Sequence, residues 1–253
     1  MINLKTKDWK IENIELVIFD KDGTFIDIHK YWGRVVELRA KEIINYFGLN
    51  NDFFEQLCDV MGYDLKTQKL PPDSPVGLYA RGKVQEILLY FLLSHNIEAS
   101  IEDIENIFQS VGQEFLKEQE DYTVTIDDAV MLIKKIAKTD CKMVVITSDS
   151  KDNAVYTIKK RGLNKYFEGI FGAEDSLEPK TTGDIVKKTL TELKFEPEKT
   201  VCIGDTYDDF LMAKNSQIKA CINVSTGVVT QKQHREYNNY TDSSLSELEI
   251  EQI

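Results

Sequence analysis

The chain has 253 residues, of which 42% are hydrophobic and 29% charged, and its formal net charge is −12. These values are ordinary for a globular protein and allow one large domain, or a core with a smaller domain. No apolar run reaches the length of a membrane span, and an acidic chain without a basic run is a poor partner for nucleic acids and anionic membranes.

Short apolar runs alternate with helical patterns along most of the chain, and this alternation predicts an α/β fold with a parallel sheet. The expected strands cover 14–19, 142–147, 167–172, 200–204 and 219–224. The helices expected beside them cover 126–138, 151–162, 182–194 and 208–216. The polar, acidic segment 241–253 predicts a loosely held tail or a short terminal helix.

The first expected strand ends in the run LVIFDKDGT, which begins at Leu16. Gly23 allows the backbone to turn sharply, and the alternate spacing of Asp20 and Asp22 lets both point into a crevice beyond the carboxyl end of the sheet. Two carboxylates held this close favour a bound cation or different protonation states. A strand that ends in a polar turn would also account for this run taken alone.

About a hundred residues separate the first strand from the second, far more than one crossover helix needs. Apolar residues at three-to-four spacing predict helices in this interval, over 31–47, 52–60, 82–93 and 101–117. The sequence therefore predicts a core formed by 1–27 and 122–253 and an inserted helical domain formed by 28–121. The proline-rich segment 65–81 predicts a loop, which is either a solvated connector or a lid that touches substrate.

Three further patterns follow the insertion. They place polar residues at the ends of apolar strands or in a loop between them: Thr147 and Ser148 after MVVI, Lys180 in KTTGD, and Asp205 and Asp209 in GDTYDD. Each pattern is weak support for a site when taken alone.

Together with the first run, these patterns resemble the four motifs of the haloacid dehalogenase (HAD) superfamily, in the family's order and over residues 16–209. The third motif departs from the family pattern, because the prolines that usually follow its lysine are absent after Lys180. The resemblance implies a Rossmann-like parallel-sheet core with an inserted α-helical cap domain. Within the superfamily, the chain looks most like the phosphoglycolate-phosphatase-like branch.

The resemblance also implies a Mg²⁺-dependent phosphatase, a phosphoric monoester hydrolase. Asp20 would be the nucleophile that forms an aspartyl phosphate, and Asp22 would be the general acid and base. Mg²⁺ would be held by the Asp20 carboxylate, the Asp22 backbone carbonyl and Asp205. Asp209 would act through waters or by holding the motif lysine; Asp208 is a second candidate for that role.

The remaining motif residues would bind the phosphoryl group. Thr147, with Ser148 beside it and nearby backbone N–H groups, would hold the phosphoryl oxygens. Lys180 would neutralise charge between the phosphate and the carboxylates. Two arginines of the insertion, Arg34 and Arg81, are candidate substrate contacts; the alternative for Arg81 is an exposed loop arginine.

The N-terminus and the cysteines indicate the compartment. The first ten residues contain no apolar core of the signal-peptide kind, which predicts a cytoplasmic protein. The four cysteines have no metal-ligand spacing, so reduced core thiols are favoured over disulfides or a zinc site.

The predicted function is hydrolysis of a small phosphorylated metabolite. One alternative is a phosphosugar mutase of the same fold, which returns the phosphoryl group to a bound intermediate. Another is a non-catalytic phospho-ligand binding or regulatory protein, although a pure binder has no need for both Asp20 and Asp22. A dehalogenase would have no use for Asp22, and the Schiff-base lysine of a phosphonate hydrolase is not identifiable. Neither the substrate nor the oligomeric state can be read from the sequence.

Overall fold

The structure is a computed structural model that describes residues 1–79 and 81–253. The chain divides into two compact units, one formed by Met1–Asp27 with Thr125–Ile253 and the other by Ile28–Val124. The inserted domain expected from the sequence ends at 121 rather than 124. None of the helices in the described part of the chain combines the length and the apolar character that crossing a bilayer requires.

The strands, in chain order, are β1 (Ile2–Lys5), β2 (Lys10–Ile14), β3 (Leu16–Phe19), β4 (Lys142–Ile146), β5 (Gly169–Phe171), β6 (Thr200–Gly204), β7 (Ala220–Val224), β8 (Thr241–Asp242) and β9 (Glu249–Gln252). All of them belong to the first unit. Among the described residues, the main sheet is parallel and has the order β5-β4-β3-β6-β7-β8. The α/β fold class with a parallel sheet is therefore confirmed.

The helices, in chain order, are α1 (Ile28–Phe47), α2 (Phe53–Met61), α3 (Pro75–Leu78), α4 (Arg81–Ser94), α5 (Ile101–Phe115), α6 (Gln119–Tyr122), α7 (Asp127–Ile136), α8 (Lys151–Lys160), α9 (Asp184–Leu193), α10 (Tyr207–Ser216) and α11 (Gln231–His234). The first six form the helical unit, and the others flank the sheet of the core. The long helices fall on the segments that apolar spacing predicts, because their apolar faces are buried.

Strand β3 lies inside the main sheet, with β4 on one side and β6 on the other. Its side chains alternate between two buried apolar clusters, with Val17 and Phe19 in one and Leu16 and Ile18 in the other. Burial on both faces is the reason that this strand has an uninterrupted apolar sequence. The parallel pairing also brings the carboxyl ends of β3, β4 and β6 to one edge of the sheet.

The expectation of a loose tail or a terminal helix over 241–253 is wrong. Strand β8 extends the main sheet beside β7, and β9 pairs antiparallel with β1 in a second sheet of order β2-β1-β9. The acidic side chains of β9 are compensated by ion pairs, since Lys5 lies 2.6 Å from Glu251 and Lys10 lies 3.1 Å from the same carboxylate. The charged sequence of β9 therefore does not prevent it from forming an ordered edge strand.

The proline-rich segment of the helical unit contains one helical turn that the sequence did not predict. Helix α3 begins after Ser74, whose hydroxyl accepts a hydrogen bond from the backbone N–H of Gly77 at 3.3 Å. Pro75 occupies the first helical position, where its fixed φ is favourable and its missing N–H costs nothing. Ser74 is fully buried and also donates to the carbonyl of Gly62 at 2.7 Å.

Candidate active site

Four of the motif residues converge beyond the carboxyl ends of the central strands. Asp20 directly follows β3, and Asp205 directly follows β6. Asp209 lies in the first turn of α10, and Lys180 lies in a short 3-10 turn just before α9. This edge of a parallel sheet is where open α/β folds bind ligands.

The three aspartates of this group form one buried cluster. A carboxylate oxygen from each of Asp20, Asp205 and Asp209 lies within 4.8 Å of the others. The ammonium of Lys180 is hydrogen-bonded to Asp20 and lies 2.6 Å from Asp209 Oδ1. With the carboxylates ionised and Lys180 protonated, the four side chains carry two net negative charges inside the protein.

The electrostatics of this cluster suit a bound cation. Burial raises the pKa of Asp20 to about 7, even though Lys180 acts in the opposite direction. Burial and the neighbouring carboxylates also raise the pKa of Asp205 well above its usual range. Moreover, among the described residues nothing donates a hydrogen bond to the buried Asp205 Oδ2. Buried carboxylate oxygens with uncompensated charge suit a hard divalent cation such as Mg²⁺.

Two glycines make room for the Asp205 carboxylate, because they have no Cβ. A Cβ at Gly23 or at Gly227 would overlap Asp205 Oδ2. Gly23 also has a φ of +81°, in the region that favours glycine. The sequence singled out Gly23 for its turn, whereas Gly227 lies in the loop after β7 and was not recognised as part of the site.

Gly227→Ala is expected to displace the Asp205 carboxylate and to lower Mg²⁺ affinity and turnover together, because the added methyl group takes the place of Oδ2. Isothermal titration with Mg²⁺ would measure this loss. Gly112→Ala is the matched control, since among the described residues nothing beyond the neighbouring backbone of α5 lies within 4 Å of a Cβ at that position. If both variants bind Mg²⁺ as the unmodified protein does, the carboxylate of Asp205 is not a ligand.

Asp209 is held in place from two sides. Its Oδ2 accepts hydrogen bonds from the backbone N–H of Thr206 at 3.0 Å and from the Thr206 hydroxyl at 2.7 Å, which completes a capping box at the start of α10. Its Oδ1 faces Lys180. These contacts support the lysine-holding role for Asp209, whereas Asp208 is exposed.

The Asp22 carboxylate has a partner of its own outside the buried cluster. Its Oδ1 accepts a hydrogen bond at 2.7 Å from Lys21, and 36% of the side chain is exposed. The strand-like spacing of Asp20 and Asp22 led to the expectation that both carboxylates would share one crevice. Asp20 pairs with Lys180 and Asp22 with Lys21, and the shared crevice stays a prediction. The chain turns after β3, where the Lys21 carbonyl accepts hydrogen bonds from the backbone N–H groups of Phe25 and Ile26.

Thr147 follows β4 and is buried, and its hydroxyl oxygen accepts a hydrogen bond from the backbone N–H of Asp149 at 3.1 Å. The neighbouring Ser148 is exposed. Both residues line a cavity of about 440 Å³, together with Leu177, Glu178, Lys180 and Asp208. Three residues that the sequence predicts to bind a phosphoryl group, Thr147, Ser148 and Lys180, therefore line one cavity.

The two candidate arginines of the helical unit already have carboxylate partners. Arg34 makes a paired hydrogen bond to Glu118, with Nε–Oε1 at 2.7 Å and Nη2–Oε2 at 3.0 Å. Arg81 Nη2 lies 2.9 Å from Glu105 Oε1. These contacts explain how each arginine is oriented within its own unit, and substrate binding by either one stays a prediction.

The family model described as haloacid dehalogenase-like hydrolase matches residues 14–217. A protein of Clostridium perfringens named "Putative pyrophosphatase PpaX" is 26% identical over 208 residues, which cover 82% of this chain and 83% of that protein.

Two solved structures have similar folds. A predicted phosphoglycolate phosphatase from Haemophilus somnus has a TM-score of 0.70 at 11% identity, over 93% of this chain and 96% of that one. A structure from Thermotoga maritima titled "putative beta-phosphoglucomutase" has a TM-score of 0.67 at 18% identity, over 92% and 96% of the two chains. At these identities the likeness shows the fold.

Proposed function

This chain belongs to the haloacid dehalogenase-like hydrolase family, and we propose that it is a Mg²⁺-dependent phosphatase acting on a small phosphorylated metabolite through an aspartyl phosphate. The observation that carries the proposal is the buried cluster of Asp20, Asp205 and Asp209 around Lys180, with one Asp205 oxygen unpartnered among the described residues. A site that serves only to stabilise the fold has no reason to bury more carboxylates than ammonium groups.

In the proposed reaction, the Asp20 carboxylate attacks phosphorus, so that a bond from its oxygen to phosphorus forms while the bond to the leaving oxygen breaks. Asp22 donates a proton to the leaving oxygen, and its carboxylate then takes a proton from the water that hydrolyses the aspartyl phosphate. Lys180 holds Asp20 in place and offsets negative charge as the phosphoryl group approaches. Thr147 and Ser148 hold phosphoryl oxygens.

The metal would be bound by carboxylate oxygens of Asp20 and Asp205 and by the backbone carbonyl of Asp22. Asp209 would act through waters or by holding Lys180 rather than as a direct ligand, since its oxygens face Lys180 and Thr206. A bound Mg²⁺ supplies positive charge that lets a carboxylate and a phosphate dianion approach each other.

The test is a screen of the purified protein with Mg²⁺ against many phosphate monoesters, with inorganic pyrophosphate included because of the name of the Clostridium relative. We expect turnover of at least one monoester and loss of that turnover in Asp20→Asn. Absence of hydrolysis across the panel would leave the binding or regulatory alternative as the better account.

The likeness to a structure titled as a β-phosphoglucomutase keeps the phosphosugar mutase as a second candidate. The two reactions share the nucleophile and differ in where the phosphoryl group goes. A mutase should interconvert a pair of sugar phosphates far faster than it releases inorganic phosphate from any monoester, and measuring both products in one assay separates the two.

We also propose that Arg34 and Arg81 help to select the substrate. Arg34→Gln or Arg81→Gln is then expected to change the order of kcat/KM values among monoesters, whereas Asp22→Ala should slow all of them because every monoester shares the scissile oxygen. Lys83→Gln is a control in the same unit, since this lysine of α4 also pairs with a carboxylate, Glu86 at 2.9 Å, and 58% of its side chain is exposed. Equal losses on all substrates in the arginine variants would exclude a selective role.

The proposal includes a cytoplasmic location. All four cysteines are free and buried. Reduced thiols are typical of a reducing compartment, and this observation agrees with the sequence-based expectation.

A further inference from the structure

Lys21 is a buried lysine inside the first motif that the proposed mechanism does not use. Only 4% of its side chain is exposed. Its ammonium lies 2.7 Å from Asp22 Oδ1 and 3.0 Å from Asp149 Oδ2. The Lys21 ammonium therefore bridges two carboxylates in a buried position.

Asp149 is itself held firmly, which makes it a fixed anchor for Lys21. Its Oδ1 accepts the backbone N–H of Ser150 at 2.8 Å, and its Oδ2 accepts the side-chain amide of Asn153 at 2.6 Å. The backbone N–H of Asp149 donates to the hydroxyl of Thr147 at 3.1 Å. A chain of contacts therefore runs from the loop after β4 through Lys21 to Asp22.

We propose that Lys21 is a positioning residue for Asp22: anchored by Asp149, it holds Asp22 Oδ1 and so presents Oδ2 for proton exchange with the leaving group and with water. This inference rests on the proposed phosphatase reaction. Among the described residues, no hydrogen bond engages Asp22 Oδ2, and the Asp22 side chain is partly exposed. Without Lys21, the short side chain would be free to turn at χ1 and χ2.

Two other roles for Lys21 fit the contacts less well. A phosphate-binding role requires the ammonium to reach substrate, but it is buried and already faces two carboxylates. A purely structural link between the loops after β3 and β4 would leave the choice of Asp22 as a partner unexplained. The structural role also makes a different kinetic prediction, because a general loosening slows every substrate alike.

The test compares substrates that differ in their need for a general acid. An alkyl phosphate requires protonation of its leaving oxygen, whereas p-nitrophenyl phosphate and acetyl phosphate release stable anions. In Lys21→Met, kcat/KM for the best alkyl monoester is expected to fall by about 10- to 100-fold. This is a part of the rate acceleration that a general acid usually supplies, because Asp22 is still present but no longer oriented. For whichever activated phosphate the unmodified protein accepts, the fall should be less than about threefold, because leaving-group protonation contributes little there.

Lys21→Arg is the matched control, since it keeps a buried cation that can bridge the two carboxylates, and it should restore much of the alkyl phosphate activity. Asp149→Asn should cause a smaller but equally selective loss of alkyl phosphate activity. If Lys21→Met does not fold, this variant tests the positioning role in its place. A crystal structure of Lys21→Met, or of Asp149→Asn in that case, supplies a readout independent of activity. It should show the Asp22 carboxylate displaced from its present orientation.

Equal losses on alkyl and activated phosphates, or an unmoved Asp22 carboxylate, would overturn the positioning role. Failure of the proposed function has a different signature, because the unmodified protein would then hydrolyse no phosphate or would retain hydrolysis in Asp20→Asn. The two inferences can therefore fail separately.

Discussion

Asp20→Asn is expected to lower phosphatase turnover by about 10⁴-fold or more, the scale on which loss of a covalent nucleophile acts. The amide keeps the shape of the side chain and can still accept a hydrogen bond from Lys180, but it is a far poorer nucleophile than a carboxylate. Steady-state release of inorganic phosphate measures the loss. Circular dichroism checks that the fold is retained.

A second readout addresses the covalent step directly. Acid-quenched samples of the unmodified protein should contain a phosphorylated species by intact-mass spectrometry, and Asp20→Asn should contain none. Asp184→Asn is the matched control, since this aspartate lies at the exposed start of α9, and its carboxylate pairs with Lys187 at 3.1 Å. Normal turnover in the Asp20 variant would remove this residue from the mechanism.

Asp205→Asn is expected to raise the Mg²⁺ concentration needed for activity by at least about 10- to 100-fold. Loss of a residue that only hydrogen-bonds to a metal ligand already has an effect of this size. A negatively charged oxygen is lost from the group that would hold the ion, and the amide that replaces it is a weaker ligand. Activity measured across a Mg²⁺ titration tests this directly. Chelation should inactivate the unmodified protein reversibly.

The same substitution is expected to stabilise the protein when metal is absent. The folded-state pKa of Asp205 is raised by burial and by Asp20 and Asp209, so the folded state holds a proton that the unfolded state releases. Stability therefore falls as pH rises from the ordinary carboxyl pKa toward the raised one. In chelator, Asp205→Asn should have the higher Tm near pH 8, and this advantage should shrink as pH is lowered toward 5.

Mg²⁺ should reverse the order of the two Tm values, because a cation that binds only the folded state stabilises that state by mass action. The unmodified protein is expected to gain Tm on addition of Mg²⁺, and the Asp205 variant should gain little. An equal Mg²⁺ response in both proteins, or full activity in excess chelator, would contradict the metal site.

The sequence by itself predicted the core of the fold. The uninterrupted apolar run before Asp20 indicated a strand buried on both faces, and β3 is such a strand. The spacing between Asp20 and Thr147 required a large insertion, and a separate helical unit occupies that interval. Four motifs in order also selected the aspartates and the lysine that cluster in space. Local patterns sufficed here because burial and helix periodicity are properties of short segments.

Only the tertiary structure decided which polar groups meet. Sequence analysis assigned no role to Lys21, yet the turn after β3 brings its ammonium to the carboxylates of Asp22 and Asp149. Gly227 approaches Asp205 from the loop after β7, and β9 reaches β1 from the other end of the chain. Partners so distant in sequence, or reached by a turn, leave no periodic signal. Their roles follow from the close packing and charge compensation of the folded chain.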